Sequence, residues 1–376
     1  MRTCQMLYPA ESSSRRAVSM DGMWKFSLDE RQEGEKNGWK NGVPGREMIP
    51  VPASFQDFYT DKDTREYTGD VWYETDFFVP GEWEGMEVGI RFGCATHCAQ
   101  VYVNGKEAAY HEGGFLPFLV PVTELVAYNA FNKVVVRVNN ELSETRIPCG
   151  AVKVLKNGKK MSKPYFDFYN YSGLQRPVKL VAFPREHVED YSVRFELDGR
   201  DALVHYTVET TGEHPVAVEL YDEDRKLVAS ASGKEGTLHV ADAHKWDVGD
   251  GYLYEFRIRI MDGEKPIDEY SDRIGIRTVE IAGRNILLNG RPVYLKGFGK
   301  HEDSDIAGRG FNINVMKRDF ECMKWIGANC FRTSHYPYSE EIYRMADREG
   351  ILIIDEVAAV GMFRSLMNFA EASSGK

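Results

Sequence analysis

Short apolar runs alternate with turn-forming residues throughout the first half of the chain. Within residues 1–184, six such runs are rich in β-branched and aromatic side chains, and glycine-containing turns separate them. Asn104-Gly105 is a strong hairpin signal, because both residues tolerate a positive φ angle. We therefore predict an all-β sandwich over residues 1–184. The runs are 23–28, 71–79, 86–92, 99–103, 134–138 and 178–183.

One stretch of this region is unusually aromatic. Residues 165–171 read Tyr-Phe-Asp-Phe-Tyr-Asn-Tyr. Most aromatic residues of the region are expected in its core. Neighbouring side chains of an extended segment point to opposite faces, so this run cannot bury all of them. We expect one of its rings, or Asp167, to reach a cleft.

A change of composition at Pro184-Arg185-Glu186-His187 predicts a linker, after which short strand-like runs return. Six or seven such runs within about 90 residues are typical of an immunoglobulin-like sandwich, which we predict over residues 185–277. This region offers no catalytic chemistry, so we expect it to hold the first domain against the C-terminal region of the chain. Trp246 is expected in its core or at a domain boundary. The runs are 191–197, 202–209, 216–221, 237–240, 252–260 and 271–276.

From residue 278 onwards, strands alternate with helices. The run Ile351–Ile354 is wholly apolar, as expected of a parallel strand that is covered on both faces. Three parallel strands with two crossover helices predict the first part of a (β/α)8 TIM barrel over residues 278–376. The predicted elements are strand 293–298, a helix within 315–327, strand 330–333, helix 340–349 and strand 351–355. The helical stripe of the first helix comprises Met316, Phe320, Met323 and Ile326.

Polar and aromatic residues cluster where the last two strands end. Residues 330–338 read Cys-Phe-Arg-Thr-Ser-His-Tyr-Pro-Tyr, and Asp355-Glu356 closes the last strand. Because the carboxyl ends of barrel strands carry the active site, we predict the active-site face of an enzyme here. Ser339 is the expected N-cap of the intervening helix, and Gly350 its C-terminal stop.

A barrel of this kind needs eight strands, and only three are predicted. Both edges of such a parallel sheet would be unpaired, and its apolar faces would be uncovered. We therefore expect that the chain is the N-terminal portion of a longer protein, or that a second polypeptide supplies the missing strands.

Composition excludes several function classes. The net charge of −11 comes from 58 acidic and 47 basic residues without a long basic run, which argues against nucleic-acid or anionic-membrane partners. Neither a leader-like N-terminus nor a long apolar segment is present in the sequence. Six thinly spread cysteines favour reduced thiols and a cytoplasmic location. Cys94 and Cys98 have three residues between them, but no second pair and no nearby histidine cluster completes a zinc site, so we expect no metal.

Four motifs carry a resemblance to a known family. They are Gly-Phe-Gly-Lys-His-Glu-Asp at 297–303, Thr-Ser-His-Tyr-Pro-Tyr at 333–338, Ile-Asp-Glu-Val-Ala-Ala-Val-Gly at 354–361, and the run from Tyr165 to Arg176. In this order they resemble the bacterial β-glucuronidases of glycoside hydrolase family 2. The resemblance covers the whole chain and implies a jelly-roll sugar-binding domain, an immunoglobulin-like domain and a TIM-barrel catalytic domain.

The resemblance implies retaining hydrolysis of small-molecule or oligosaccharide glucuronides by two carboxyl groups, without a cofactor. In the family both catalytic glutamates lie on later barrel strands, and the acid/base follows an Asn in an Asn-Glu-Pro element. That element is absent from this sequence. We expect both glutamates beyond Lys376 and the chain alone to be inactive. A homodimer or homotetramer is expected from the resemblance.

The same resemblance implies that the chain holds the sugar-binding half of the site. Asp167 resembles the aspartate that accepts hydrogen bonds from sugar hydroxyls, and His335 resembles the histidine beside the sugar. A loop-capping Asp and a buried structural His are the alternative interpretations. Because Asp355 and Glu356 are adjacent on a strand, they point to opposite faces and form a poor catalytic pair. Further candidates that brace the site are His301, Arg332, Tyr336, Asp355 and Glu356.

Two other functions stay open. A β-galactosidase of the same family would share the Ser-His-Tyr-Pro element, although the residues around Asp355 favour a glucuronidase. A non-catalytic carbohydrate-binding protein could be built from the same domains. Residues 362–376 resemble the start of the variable loop that meets the aglycone in bacterial glucuronidases.

Overall fold

The computed structural model describes residues 7–361, which form two β-sandwiches followed by part of a β/α barrel. This is the architecture that the sequence predicts. The segment 362–376, for which an aglycone loop is predicted, lies outside the described residues.

The first sandwich packs a four-stranded sheet, in the order β1-β12-β5-β8, on a six-stranded sheet, in the order β3-β2-β4-β9-β6-β7. A separate hairpin pairs β10 with β11. The strands are β1 (Arg16–Ser19), β2 (Gly22–Leu28), β3 (Met48–Val51), β4 (Asp70–Val79), β5 (Glu87–Phe92), β6 (Cys98–Val103), β7 (Lys106–Glu112), β8 (Phe118–Pro121), β9 (Ala130–Asn139), β10 (Gly150–Val154), β11 (Lys160–Pro164) and β12 (Val178–Phe183); the short helix α1 is Lys62–Arg65.

All six predicted strands of this sandwich are present, and their apolar faces meet in one core. The turn at Asn104-Gly105 has positive φ at both residues, 50° and 76°, and joins β6 to β7 as predicted. The predictions omit the strands at the four sheet edges, β1, β3, β7 and β8, and the separate hairpin of β10 and β11. An edge strand buries little apolar surface, so its sequence lacks the alternation that marks central strands.

The second sandwich packs the sheet β13-β14-β17 on the sheet β16-β15-β18-β19. Its alternating residues bury every second side chain, as β18 shows from Tyr254 to Ile260. The edge strand β16 is absent from the predictions because its residues are mostly small. The strands are β13 (Val188–Asp198), β14 (Asp201–Thr210), β15 (Val216–Tyr221), β16 (Leu227–Ser232), β17 (Glu235–Val240), β18 (Tyr254–Asp262) and β19 (Lys265–Ile274).

The barrel segment begins with an antiparallel sheet, β20-β21-β22, and continues with a parallel sheet in the order β23-β24-β25. Its core joins the buried faces of the two helices to β24. The elements are β20 (Val279–Ala282), β21 (Asn285–Leu288), β22 (Arg291–Val293), β23 (Gly297–Lys300), α2 (Ile313–Trp325), β24 (Cys330–Thr333), α3 (Glu340–Glu349) and β25 (Leu352–Ile354).

Three details of the barrel prediction are wrong. The predicted strand 293–298 is split, because Val293 pairs with Ile286 in a hairpin and the barrel strand starts only at Gly297. Ile326 is exposed because α2 ends before it. The predicted burial of the last strand fails at Ile354, which is 46% exposed. Among the described residues β25 pairs with β24 alone, so one edge lacks a strand to cover it.

Both barrel helices have defined ends. The Asn312 side chain accepts hydrogen bonds from two backbone N–H groups at the start of α2. Ser339 is the N-cap of α3 as predicted, but its hydroxyl does not cap the helix. Instead, Glu302 Oε1 accepts a 2.6 Å hydrogen bond from Ser339 N. Gly350 has φ of 68° and ends α3, as predicted.

The second sandwich holds the barrel segment through α3. Trp246 is buried at this boundary, and its Nε1 donates to the carbonyl oxygen of Asp347 at 2.6 Å. Arg344 donates to Asp272 Oδ1 at 2.6 Å. These contacts join the second sandwich to the barrel segment, and its role in holding the first domain stays a prediction. No helix within residues 7–361 is long and apolar enough to cross a membrane.

Candidate active site

The carboxyl ends of β24 and β25 are tied together by one threonine. Thr333 Oγ1 donates to Asp355 Oδ1 at 2.8 Å and accepts from Glu356 N at 2.8 Å. The hydroxyl of Tyr343 on α3 donates to the same Asp355 oxygen at 2.6 Å. Asp355 therefore joins two strands to a helix through one carboxylate oxygen, Oδ1.

Glu356 points to the other side of the strand end and bridges two cationic or potentially cationic groups. Its Oε1 lies 2.9 Å from Arg332 Nε, and its Oε2 lies 3.1 Å from His335 Nδ1. A carboxylate on Nδ1 fixes the orientation of the imidazole ring and directs Nε2 away from the strand. That Nε2 lies 3.9 Å from Asp167 Oδ1.

Asp167 reaches this face from the first sandwich. It lies on the long connection between β11 and β12, and its side chain is 88% exposed. The next residue, Phe168, turns inwards and lies against three rings of the barrel segment. Its ring centroid is 5.8 Å from that of His335 and 5.5 Å from those of His301 and Tyr336. An inward ring thus anchors an outward carboxylate.

His301 and Tyr336 form the floor of this arrangement. Tyr336 is 1% exposed, and its hydroxyl lies 3.3 Å from His301 Nδ1. Burial lowers the pKa of His301, and the neighbouring His335 adds to this effect, while Asp303 opposes it. His301 is therefore neutral at pH 7, and it can exchange a hydrogen bond with the tyrosine without carrying a charge.

A buried ion pair lies behind this floor. Arg176, from the same connection as Asp167, has its Nη2 2.9 Å from Glu302 Oε2, and both side chains are almost fully buried. Arg176 also donates to the carbonyl oxygens of Phe115 and Pro337. Burial alone would lower the pKa of Arg176, but the Glu302 carboxylate raises it above the usual value.

The candidate residues thus fall into two groups. Asp167, His335, His301, Arg332 and Glu356 lie together at the strand ends, and all remain at least partly accessible. Tyr336 is buried, and Asp355 is held by Thr333 and Tyr343. The sequence predictions omit three buried residues that join the first sandwich to the barrel segment. They are Arg176, Glu302 and Arg309.

A sequence signal exists for two of these three. Arg176 ends the aromatic stretch that supplies Asp167, and Glu302 lies between His301 and Asp303. Their ion pair joins residues 126 positions apart, and no local pattern reports such a pair. Arg309 lies between two glycines in a loop and carries no periodic signal.

The described cysteines are unpaired, and Cys94 and Cys98 are buried. Across residues 7–361 there is no group of three or more His, Cys, Asp or Glu side chains that could hold a metal ion. Burial raises the pKa of the Cys94 thiol, which is the opposite of what a thiolate ligand requires.

Comparison with known protein families decides the relationship. The sugar-binding domain of glycosyl hydrolases family 2 matches residues 17–184, a second model of the same family matches 185–277, and its TIM barrel domain matches 279–374. The chain belongs to glycosyl hydrolase family 2. The three models follow one another along the chain in the order in which the two sandwiches and the barrel segment occur.

Individual relatives agree with this assignment. A β-glucuronidase of Paenibacillus borealis is 41% identical over 365 residues, which are 95% of this chain and 61% of the relative. The crystal structure of Ruminococcus gnavus β-glucuronidase is 56% identical, with a TM-score of 0.96, over 98% of this chain and 64% of that one. A structure of the R. gnavus enzyme in complex with D-glucuronic acid superposes with a TM-score of 0.95. The chain thus spans about three fifths of the length of these relatives.

Proposed function

We propose that the natural protein is a retaining β-glucuronidase, which releases glucuronic acid from small-molecule or oligosaccharide β-D-glucuronides. The observation that carries this proposal is the meeting of Asp167 with His335 across the boundary between the first sandwich and the barrel segment. Relatives named β-glucuronidase, and a relative's complex with glucuronic acid, support the choice of sugar.

In this proposal the chain supplies the sugar-binding half of the site. Asp167 accepts hydrogen bonds from two sugar hydroxyls, because an ionised carboxylate offers acceptors on both oxygens. His335 contacts the sugar through Nε2, and Glu356 keeps the imidazole oriented for that contact. Arg332 shares the Glu356 carboxylate and limits its freedom to turn. His301 and Tyr336 support the ring of Phe168 beneath Asp167.

The catalytic carboxyl pair is proposed to lie outside residues 1–376. Retention requires two carboxyl groups about 5–5.5 Å apart on either side of the glycosidic bond. Asp355 bonds Thr333 and Tyr343, whereas Glu356 pairs with Arg332 and His335 on the other side of the strand end, so these two adjacent acids do not form such an opposed pair. The chain alone is therefore proposed to be inactive.

Further parts of the proposal concern organisation. The domain boundaries are proposed at 184/185 and 277/278, where the connections between the sandwiches and the barrel segment lie. The natural protein is proposed to be a cytoplasmic homodimer or homotetramer that needs no cofactor.

The test is hydrolysis of matched aryl substrates by the natural protein that contains this chain. Turnover of an aryl β-D-glucuronide at least a hundredfold above that of the aryl β-D-galactoside is expected, because a site built for a carboxylate leaves buried polar groups unpaired when the carboxylate is missing (a penalty of roughly 10⁴ in favourable cases). The reverse preference would identify a β-galactosidase. Binding of D-glucuronic acid without hydrolysis of either substrate would identify a carbohydrate-binding protein.

A further inference from the structure

The loop 307–311, which lies between β23 and α2, docks on the first sandwich through its backbone. The N–H of Arg309 donates to Ser54 Oγ at 3.0 Å. Gly308 has φ of 54°, and a Cβ added at Gly310 would lie 2.5 Å from a backbone atom of the first sandwich. Two glycines thus permit a contact that larger residues would prevent. The loop inserts the Arg309 side chain between the two domains.

The Arg309 guanidinium is enclosed by aromatic rings and neutral acceptors. Its Cζ lies 4.1 Å from the ring centroid of Phe115 and 4.9 Å from that of Tyr336. Its Nη2 donates to Thr96 Oγ1 at 2.8 Å, and its Nε donates to Gln175 Oε1 at 3.1 Å. Arg309 is 4% exposed, so both cation–π contacts are shielded from water, where such contacts are strongest.

Contacts lead from this cation to the sugar-binding face. Phe115, on one side of Arg309, also stacks directly on Tyr336 with a centroid separation of 4.5 Å. The Tyr336 hydroxyl meets His301 Nδ1 at 3.3 Å. Phe168 contacts both of these rings and the ring of His335. The orientation of Tyr336 therefore affects every ring beneath the candidate sugar site.

Resting on the proposed function, we propose that Arg309 is a positioning residue for sugar binding, which holds Tyr336 and thereby the rings that support His335 and Asp167. Arg309 itself touches no sugar. Arg309 contacts both the first sandwich and Tyr336 of the barrel segment. It thereby keeps Asp167, from the first sandwich, in a fixed position relative to His335 at the strand ends.

A double-mutant cycle in the natural protein tests this role. Arg309→Met is combined with Tyr336→Phe, which keeps the ring but removes the hydroxyl that meets His301. Arg15→Met is the control for loss of a buried arginine between domains: the Arg15 Cζ lies 5.0 Å from the Tyr270 ring and its guanidinium pairs with the buried Asp268, so these contacts involve no ring of the site. Melting temperature and the separate kcat and KM for an aryl glucuronide are measured for every variant.

Arg309→Met is expected to lower kcat/KM about tenfold to a hundredfold, mainly through KM, because small misplacements of binding groups have effects of this size. It should couple to Tyr336→Phe by about twofold or more. Arg15→Met should lower the melting temperature and leave KM unchanged. Its effect should be additive with that of Tyr336→Phe. The inference would be overturned if Arg309→Met and Arg15→Met had the same KM. It would also be overturned if the effects of Arg309→Met and Tyr336→Phe on kcat/KM were additive in the double variant.

Two controls keep the result interpretable. If Arg309→Met does not fold, the same cycle is run with Arg309→Lys, which keeps the charge between the rings but loses the planar fork, and the same KM and coupling criteria apply. A wild-type protein that binds D-glucuronic acid but does not hydrolyse glucuronides would contradict the proposed function alone. In that case the dissociation constant for D-glucuronic acid replaces KM as the measured quantity for every variant of the cycle.

Discussion

The chain contains two β-sandwiches, each built from two packed sheets, but only the first contributes side chains to the candidate site. The first contributes Asp167, Phe168 and Arg176 to the strand ends of the barrel. The second contacts the outer helix α3 through Trp246 and Asp272. Both have alternating strands and a well-filled core. Neither sheet content nor core packing therefore distinguishes the functional sandwich from the supporting one.

The difference lies in where a long connection leads. β11 ends at Pro164 and β12 begins at Val178, and the loop between them carries residues that reach the strand ends of the barrel. The second sandwich has a connection of the same length, residues 241–253 between β17 and β18, but its Trp246 contacts the outer helix α3. A long loop can reach a neighbouring domain, and both of these loops do so. Function depends here on which part of the barrel the loop contacts, rather than on its length or on the sheets.

Breaking the deepest contact between the first sandwich and the barrel should have the largest effect. Glu302→Gln leaves the buried Arg176 without its charge partner, which is expected to lower the free energy of unfolding by about 3–5 kcal/mol. Urea denaturation of both proteins measures this loss. The matched variant Glu255→Gln removes an ion pair of the second sandwich whose side chains are 20–29% exposed, and should cost under about 1 kcal/mol. If Glu302→Gln and Glu255→Gln lowered the free energy of unfolding equally, the ion pair between the first sandwich and the barrel would be no more important for stability than the one within the second sandwich.

Removing the exposed carboxylate of the first sandwich should affect activity and leave stability unchanged. Asp167→Asn is expected to lower kcat/KM of the natural protein roughly a hundredfold, because it weakens two hydrogen bonds to a charged acceptor of about 1.5 kcal/mol or more each. The melting temperature should stay within about 1 °C, since the side chain is 88% exposed. Steady-state kinetics and thermal melts give both values. Asp262→Asn, at the surface of the second sandwich, is the control and should change neither.

Acid should destabilise the first sandwich through a buried histidine. Burial lowers the pKa of His97 to about 3, against the usual value near 6.5. The unfolded chain therefore takes up a proton that the folded chain does not. The stability that His97 contributes is complete above pH 6.5 and falls as the pH drops towards 3, by about 2 kcal/mol at pH 5.

Urea titrations at pH 7.5 and pH 5 measure this loss, and His97→Gln should remove it. The histidines of the second sandwich lie nearer its surface, so His205→Gln is the control for replacing a more accessible histidine. An unaltered pH dependence in His97→Gln would show that His97 is not the responsible group. The surface histidines are His205, His214, His239 and His244.

The smallest effect is expected at the boundary between the second sandwich and the barrel. Trp246→Phe removes the hydrogen bond to the Asp347 carbonyl and weakens the contact with Arg277, whose Cζ lies 4.7 Å from the indole ring. The expected loss is about 1–2 kcal/mol of unfolding free energy without a change in KM. Thermal melts and kinetics check it. Trp325→Phe is the control, because that side chain is 85% exposed. A rise in KM for Trp246→Phe would contradict this prediction and show that the second sandwich also affects substrate binding.

The sequence alone determined the fold class and most elements of this protein. Alternation predicted the central strands of the first sandwich and all strands of the second except β16, because burial on one face of a sheet imposes a period of two. The helix Glu340–Glu349 was predicted to the residue, since acidic residues at its start and Gly350 at its end are local signals. The motifs around Asp167 and His335 also indicated the family.

Tertiary structure decided the rest. Sequence could not show that Glu356 holds His335, that Phe168 lies beneath Asp167, or that Arg309 fills the boundary between Phe115 and Tyr336. These contacts join segments that are far apart in the chain, and no periodic pattern encodes them. Likewise, the apolar run at 351–354 predicted a strand but not its exposure, because burial depends on which strands lie beside it.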